Sequence, residues 1–129
     1  MDPSTATILL AEDHVDSRDA LRALLEAYGF RVIIASNGRE AVDLALAAHP
    51  DLVLMDVMMP VMDGIQATRA LRATKDFAQV PIIALTAMDG AREPALAAGC
   101  NGFVAKPLDI RQFVSTIGHW LARSVPATH

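Results

Sequence analysis

Apolar and amphipathic segments alternate five times along this chain. Short apolar runs, which are typical of strands, occupy residues 7–11, 31–35, 53–55, 81–85 and 103–105. Between and after these runs, apolar residues recur every three or four positions, which predicts helices near residues 15–28, 39–48, 65–73, 92–98 and after residue 109. Strands that alternate with helices predict an α/β domain with a parallel sheet, right-handed crossovers and helices on both faces.

The helical spacing also predicts which side chains face the core. The expected inward positions are Leu21, Leu24, Leu25 and Tyr28 in the first helix, Val42, Ala45 and Leu46 in the second, and Phe113, Ile117, Trp120 and Leu121 in the last. Asp63 and Asp109 precede helical segments and are predicted N-caps. Pro94 fits the first turn of the fourth helix but not a helix interior.

The stretch from Asp51 to Pro60 contains the candidate site residue that the rest of the chain supports. Val53, Leu54 and Met55 form a run without polar alternation, which indicates a central strand buried on both faces. Asp56 would then lie at the carboxyl end of that strand, where ligands bind in open α/β sheets. From this stretch alone, Asp56 is equally a candidate site residue and a simple cap of the following turn.

A second acidic element follows the first strand. Glu12 and Asp13 come directly after residues 7–11, so two strands deliver three carboxylates. If these strands are neighbours, the charges converge and repel unless a hard divalent cation joins them, and Mg²⁺ is the natural candidate. The alternative role, capping of the first helix, is compatible with metal binding.

Two further polar residues end predicted strands. Thr86 follows the fourth strand and Lys106 follows the fifth, so both belong to the same sheet edge as Asp56. A carboxylate can act as a nucleophile that becomes an acyl phosphate, while a cation, an ammonium group and a hydroxyl stabilise the transferring oxygens. Each residue alone is a weak signal, but together they favour phosphoryl chemistry.

Composition restricts the class of protein further. The 129 residues, 53% of them hydrophobic, fit one domain, with residues 7–123 folded, residues 1–6 disordered and residues 124–129 a flexible tail. A net charge of −4 without a Lys/Arg run argues against a nucleic-acid partner. A single cysteine, Cys100, and the lack of a signal peptide or membrane-length apolar run favour a cytoplasmic protein without a membrane partner. A monomer or weak dimer is expected.

The ordered set of motifs resembles the receiver domain of bacterial two-component response regulators, the chemotaxis-regulator-like superfamily. The motifs are Glu12-Asp13, Asp56 within Leu-Met-Asp-Val-Met-Met-Pro, Met62-Asp63-Gly64, Thr86-Ala87 and Lys106-Pro107. The resemblance covers residues 7–121. It implies a flavodoxin-like three-layer sandwich in which a five-stranded parallel sheet has the order 2-1-3-4-5.

The resemblance also implies roles for individual residues. Asp56 would be the phosphoacceptor, receiving its phosphoryl group from a histidine of a sensor kinase or histidine phosphotransfer protein. Thr86 and Lys106 would bind the phosphoryl oxygens, and the Lys106-Pro107 peptide would be cis. The implied ligands of Mg²⁺, with Mn²⁺ as a possible substitute, are the carboxylates of Glu12, Asp13 and Asp56 and the backbone carbonyl of Met58.

A switch of the surface is implied as well. Thr86 would move toward the phosphoryl group, Phe103 would turn inward, and the face of the fourth helix, fifth strand and fifth helix would change its downstream protein partner. A core phenylalanine that never moves is the alternative for Phe103. The interval from Thr86 to Lys106 is shorter than is usual in the family, which predicts a short fourth helix. Met58 and Met88 would flank the path of the hydrolytic water and slow loss of the phosphoryl group.

Other classes fit less well. A phosphatase of the haloacid dehalogenase type needs a second acid two residues after the nucleophile, where this chain has Met58. A flavin-binding electron carrier needs phosphate donors where this chain has Glu12 and Asp13, and a pseudo-receiver would lack a chemical residue. His14 is expected to be a surface residue. The sequence leaves open whether this is a stand-alone regulator, a phosphorelay intermediate, or a receiver from a hybrid kinase or multidomain regulator.

Overall fold

The structure is a computed structural model that describes residues 6–59, 61–87 and 89–124. The strands are β1 (Thr7–Ala11), β2 (Arg31–Ala35), β3 (Leu52–Asp56), β4 (Ile82–Thr86) and β5 (Gly102–Ala105). The helices are α1 (Val15–Ala27), α2 (Gly38–Ala48), α3 (Gly64–Arg72), α4 (Arg92–Ala98) and α5 (Ile110–Ser124). Two short 3₁₀ turns, Lys75–Phe77 and Asp89–Ala91, precede β4 and α4.

All five strands are parallel and lie in the order β2-β1-β3-β4-β5. This confirms the flavodoxin-like topology that the motif set implied. Ala11 is in register with Ala35 on one side and Met55 on the other, so the carboxyl ends of the three strands lie side by side. The chain segments that follow β1 and β3 therefore start next to each other.

The sheet separates two hydrophobic clusters. The cluster on one face takes Ala41 and Ala45 from α2, Ala67 and Leu71 from α3, and Ala95 from α4. The cluster on the other face takes Leu21 and Leu25 from α1 and Phe113, Ile117 and Leu121 from α5. Because β3 and β4 face both clusters, every residue in them is buried, which explains their continuous apolar runs.

Two predicted core positions are wrong. Tyr28 is 49% exposed because α1 ends at Ala27 and Tyr28 lies beyond its last turn. Leu46 is 40% exposed because Ala41 and Ala45 define the buried stripe of α2, and a residue next to Ala45 lies about 100° around the helix. Trp120 is only half-buried, whereas the other predicted core residues of α5 are buried.

Several helix ends follow the predictions closely. Asp63 caps α3 through a capping box in which its side chain accepts from Gln66 N–H and its own N–H donates to Gln66 Oε1. Asp109 accepts from Gln112 N–H at the start of α5. Helix α4 has seven residues, so it is short, and Pro94 lies in its first turn.

Some predictions lie outside the described residues: those on residues 1–5, Pro60, Met88 and residues 125–129. Ala6, at the edge of the predicted N-terminal tail, is buried, and its carbonyl accepts from Arg31 N–H at 3.0 Å. The tail boundaries stay predictions. Within the described ranges, none of the helices has the length and apolarity that a membrane span requires.

Candidate functional site

Three carboxylates converge at the carboxyl edge of the sheet. Glu12 and Asp13 follow β1, and Asp56 ends the neighbouring strand β3. Glu12 is 1% exposed and Asp56 4% exposed, whereas Asp13 is open to solvent. One carboxylate oxygen from each residue lies within 4.8 Å of those of the other two. The predicted acidic cluster is therefore present in the fold.

The donor set fits a hard divalent cation. All three residues offer carboxylate oxygens, which Mg²⁺ prefers and binds at about 2.0–2.1 Å. Two oxygens bound to one such ion lie at most about 4.2 Å apart, so a separation of up to 4.8 Å needs only a small closure. One exposed and two buried acids leave an open side for water ligands and a phosphate oxygen.

Lys106 lies against the two buried acids. Its Nζ donates to Glu12 Oε1 at 2.6 Å and to Asp56 Oδ2 at 2.7 Å. The backbone of Lys106 is held at the end of β4, since Lys106 N–H donates to Thr86 O at 2.9 Å. The peptide bond between Lys106 and Pro107 is cis, as the resemblance implied. One ammonium group thus bridges the ends of β1 and β3.

The pKa values of this cluster reflect burial and charge together. Burial raises the pKa of Glu12, and the nearby Asp56 carboxylate adds to this, although the bond from Lys106 opposes it. Burial alone disfavours the charged form of Lys106, but its two carboxylate partners outweigh burial and raise its pKa. An excess of negative charge at a buried site with only one cation favours a second cation.

Backbone donors hold the remaining oxygens of both acids. Met58 N–H donates to Asp56 Oδ1 at 2.8 Å, and His14 N–H donates to Glu12 Oε2 at 3.2 Å. Each acid therefore has one oxygen on a backbone amide and the other on Lys106. The amides orient the carboxylates and leave the side of Asp13 open.

The loop between β3 and α3 is fixed at its base. Val57 N–H donates to Leu85 O at 3.0 Å, and Gly64 N–H donates to Val57 O at 3.0 Å. A Cβ on Gly64 would lie 2.2 Å from Asp56 O, so α3 approaches the site more closely than any other residue type permits. The sequence pattern identified Asp63 as the cap, but it did not predict this close approach.

Of the two predicted switch residues, Thr86 lies at the carboxyl edge of the sheet beside the site, and Phe103 lies on β5 at the protein surface. Thr86 is 1% exposed at the end of β4. Phe103 is half-buried and packs against the cluster under α2, α3 and α4. It also lines a groove of about 500 Å³ whose other lining residues include Arg92, Gln112 and Thr116. His14 is exposed, as expected.

The site is thus a cluster of carboxylates beside a lysine at the carboxyl edge of a parallel α/β sheet, an arrangement suited to phosphoryl chemistry. Residues 8–118 match the family described as response regulator receiver domain. The chain belongs to this family, and it is therefore a receiver domain of two-component signalling, a phosphoacceptor regulator rather than a conventional enzyme. Receiver domains interact with histidine kinases and phosphotransfer proteins.

Relatives and solved structures agree with this assignment. The polar-differentiation response regulator DivK from Brucella ovis is 35% identical over 119 residues, which cover 91% of this chain and 97% of DivK. The receiver domain of sensor histidine kinase PA1611 from Pseudomonas aeruginosa, whose structure has a magnesium ion in the active site cleft, is 38% identical with a TM-score of 0.87. That alignment covers 92% of this chain and 98% of the PA1611 receiver domain in that structure.

A third similar structure is a co-crystal from Saccharomyces cerevisiae. It contains the histidine phosphotransfer protein Ypd1 and the receiver domain of its downstream response regulator Ssk1. The alignment has 26% identity and a TM-score of 0.86, and it covers 96% of this chain and 94% of the matched chain.

Proposed function

We propose that Asp56 accepts a phosphoryl group from a phosphohistidine of a histidine kinase or histidine phosphotransfer protein. The observation that carries this proposal is the arrangement of Asp56, with Oδ1 on Met58 N–H and Oδ2 on Lys106 Nζ. A carboxylate oxygen held in this way is oriented for attack and lies beside the cation that will neutralise the incoming charge.

The transfer step breaks one bond and forms another. A carboxylate oxygen of Asp56 bonds to phosphorus, the bond from phosphorus to the donor imidazole nitrogen breaks, and that nitrogen takes up a proton. Lys106 stays protonated, because its carboxylate partners raise its pKa, and donates to the oxygens of the bound phosphoryl group. Thr86, buried at the neighbouring strand end, supplies a hydroxyl to the same group.

A divalent cation would be held by Glu12, Asp13, Asp56 and the backbone carbonyl of Met58. The ion, Mg²⁺ or in its place Mn²⁺, supplies neutralisation of negative charge on the phosphoryl oxygens. The support for this proposal is the oxygen-only donor set of the acidic cluster. It agrees with the magnesium ion in the similar PA1611 receiver domain.

The output is proposed to be a change of the face formed by α4, β5 and α5. Thr86 moving toward the phosphoryl group vacates space, and Phe103, only half-buried over the core, turns into it. The groove beside Phe103 then changes shape for a downstream protein partner. A cytoplasmic stand-alone regulator or phosphorelay intermediate, similar to DivK, is proposed, and a receiver within a hybrid kinase, similar to that of PA1611, is the alternative.

Intact mass after incubation with Mg²⁺ and acetyl phosphate tests this function. We expect the wild type to gain one phosphoryl group and Asp56→Asn to gain none, while chelation of Mg²⁺ prevents the gain in the wild type. A matched control is Asp51→Asn, whose carboxylate bonds Thr7 N–H at 2.8 Å at the other end of the sheet. Phosphorylation of Asp56→Asn, or none in the wild type with Mg²⁺ bound, would refute the proposal.

A further inference from the structure

The β2–α2 turn, defined here as Ala35 to Gly38 and so including the last residue of β2 and the first of α2, contacts both halves of the acidic site, although it contributes none of the site's side chains. Ala35 O, at the end of β2, accepts from Glu12 N–H at 3.0 Å. Three residues later, Gly38 N–H donates to Met62 O at 2.9 Å, in the loop that follows Asp56. One turn therefore fixes the backbone of Glu12 and the loop that carries Met58.

The contact at Gly38 leaves no room for a side chain. A Cβ at this position would lie 2.0 Å from Met62 O, 2.7 Å from Met62 C and 3.1 Å from Asp63 O. All three atoms are backbone, so no flexible side chain can give way. The turn and the loop would have to separate by at least 1 Å to bring the closest atom to 3.0 Å.

The turn itself is held rigidly, so the loop is the element that would move. Asn37 Oδ1 accepts from Glu40 N–H at 2.8 Å, and Glu40 Oε1 accepts from Ser36 N–H at 3.0 Å. Ser36 Oγ also accepts from Arg18 on α1 at 3.1 Å. These bonds tie the turn to α1 and α2.

Besides its contact with Gly38, the loop is held by burial of Val57 and Met59 in the core cluster and by the capping box of Asp63. Its base is closed by the bond from Gly64 N–H to Val57 O, and Met58 N–H is bonded to the Asp56 carboxylate. Between these points, among the described residues 57–59 and 61–63, the bond from Gly38 holds the loop from outside. Because Met62 lies four residues after Met58 in the same loop, we expect displacement of Met62 to shift Met58 and the carboxylate that Met58 orients.

We propose that Gly38 is a positioning residue for Asp56: by direct backbone contact with Met62 it fixes the loop whose Met58 amide orients the acceptor carboxylate. The proposal rests on the proposed function for its meaning in phosphoryl acceptance, but the orientation of Asp56 is measurable without any phosphoryl donor. It gives the β2–α2 turn a role in the site through shape rather than chemistry.

The test compares Gly38→Ala with two other glycine-to-alanine variants. Gly99→Ala also meets a conflict, because Gly99 has φ 119° and its Cβ would lie 2.6 Å from Arg72 Cγ, but it lies at the opposite end of the sheet. Gly118→Ala in α5 meets nothing within 4 Å and serves as the neutral control. If Gly38→Ala and Gly99→Ala lose similar stability, a difference between them at the acidic site is due to positioning and not to general destabilisation.

Two readouts are measured on each variant. The first is hydrogen exchange of the Met58 amide by NMR in Mg²⁺-free protein, and the second is the rate of phosphorylation by acetyl phosphate with saturating Mg²⁺. In Gly38→Ala we expect faster exchange of this amide and a phosphorylation rate lower by about tenfold or more, since a 1 Å misplacement costs up to about 100-fold. Gly99→Ala and Gly118→Ala should match the wild type in both.

The outcomes are distinct. Wild-type exchange at Met58 and wild-type phosphorylation in Gly38→Ala would overturn the proposal. If the wild type itself takes no phosphoryl group, the proposed function fails, and Met58 exchange alone still decides the role of Gly38. If Gly38→Ala does not fold, Asn37→Ala, which removes only the cap of α2, should accelerate Met58 exchange about threefold to fivefold, and unchanged exchange would overturn the proposal.

Discussion

Lys106 and Arg72 are partly buried cations at opposite edges of the same sheet, and their partners differ in kind. Lys106 bonds two carboxylates, Glu12 Oε1 at 2.6 Å and Asp56 Oδ2 at 2.7 Å. Arg72, the last residue of α3, donates to neutral oxygens: Gly99 O at 2.9 Å, Val80 O at 2.7 Å, Asn101 Oδ1 at 2.6 Å, and Phe77 O. Within the described part of the chain, no carboxylate pairs with Arg72.

The difference separates an exchangeable contact from a permanent one. At the carboxyl edge, the acids outnumber the lysine, so a divalent cation and a phosphoryl group can replace the direct contacts without leaving a buried charge unpaired. At the amino edge, where the strands begin, the guanidinium donates to backbone carbonyls in the loop before β4 and at the end of α4. Burial lowers the pKa of Arg72, whereas the carboxylates raise that of Lys106.

The Arg72 contacts also restrain how α4 can move. Gly99 ends α4, and Asn101, which accepts from both Arg72 and Ile82 N–H, connects the helix to the start of β4. The C-terminal end of α4 is therefore anchored to α3 and the sheet. If α4 moves on phosphorylation, we therefore expect the movement mainly at its N-terminal end.

Removal of the amino-edge cation should have the largest effect on stability. We expect Arg72→Met to lower the free energy of unfolding by about 3 kcal/mol, because four partly buried or exposed oxygens lose their donor at once, and to lower Tm by roughly 10 °C. The control is Arg69→Met, an exposed arginine one turn earlier on α3. Thermal unfolding of both variants checks this, and equal Tm values would show that the Arg72 hydrogen bonds add no more stability than the exposed Arg69 does.

Removal of the carboxyl-edge cation should change metal binding instead. We expect Lys106→Met to bind Mg²⁺ about tenfold more tightly, since a unit positive charge beside the ion opposes binding by about 1.4 kcal/mol or more at an effective dielectric near 20. The same variant should be phosphorylated more slowly. Isothermal titration with Mg²⁺ measures the affinity, with Arg72→Met as the matched removal of a cation at the other edge. Weaker Mg²⁺ binding in Lys106→Met would contradict the comparison.

The two edges also differ in how far the sequence predicts them. Asp56, Thr86 and Lys106 were identifiable because each directly follows a run of apolar residues, and parallel strands bring such positions to one edge. Asp63 was identifiable as a cap because it precedes a helical pattern and Gln66 follows at capping-box spacing. The sequence therefore predicts which side chains lie at the ends of strands and helices.

Contacts made by backbone atoms are not visible in the same way. An arginine at the end of a predicted helix has the pattern of a solvated residue, and nothing in the side-chain pattern shows that Arg72 finds four carbonyl oxygens. Gly38 likewise has the pattern of an ordinary turn, although it touches Met62 O. Val61 is 83% exposed with φ 69°, a left-handed conformation that no local pattern predicts for a β-branched residue.

The smallest predicted effect concerns the thiol of Cys100, which lies near the Arg72 contacts. Cys100 is 7% exposed, and its Sγ lies 3.6 Å from Thr68 Oγ1. Burial raises the pKa of this thiol, although the Thr68 bond and the Arg72 charge partly oppose the shift. The folded protein therefore keeps the thiol proton to a higher pH than the unfolded chain, whose thiol titrates near the ordinary value of 9.0.

It follows that stability contributed by the protonated thiol is present below pH 9 and is lost as the pH rises above it, by up to about 1.4 kcal/mol at pH 10. Urea unfolding of wild type and Cys100→Ala from pH 7 to pH 10 tests this, and the difference between the two curves removes groups common to both proteins. Lys106 stays charged through this window because its pKa is raised above 10.5. A stability difference between wild type and Cys100→Ala that does not change with pH would contradict the raised pKa of the Cys100 thiol.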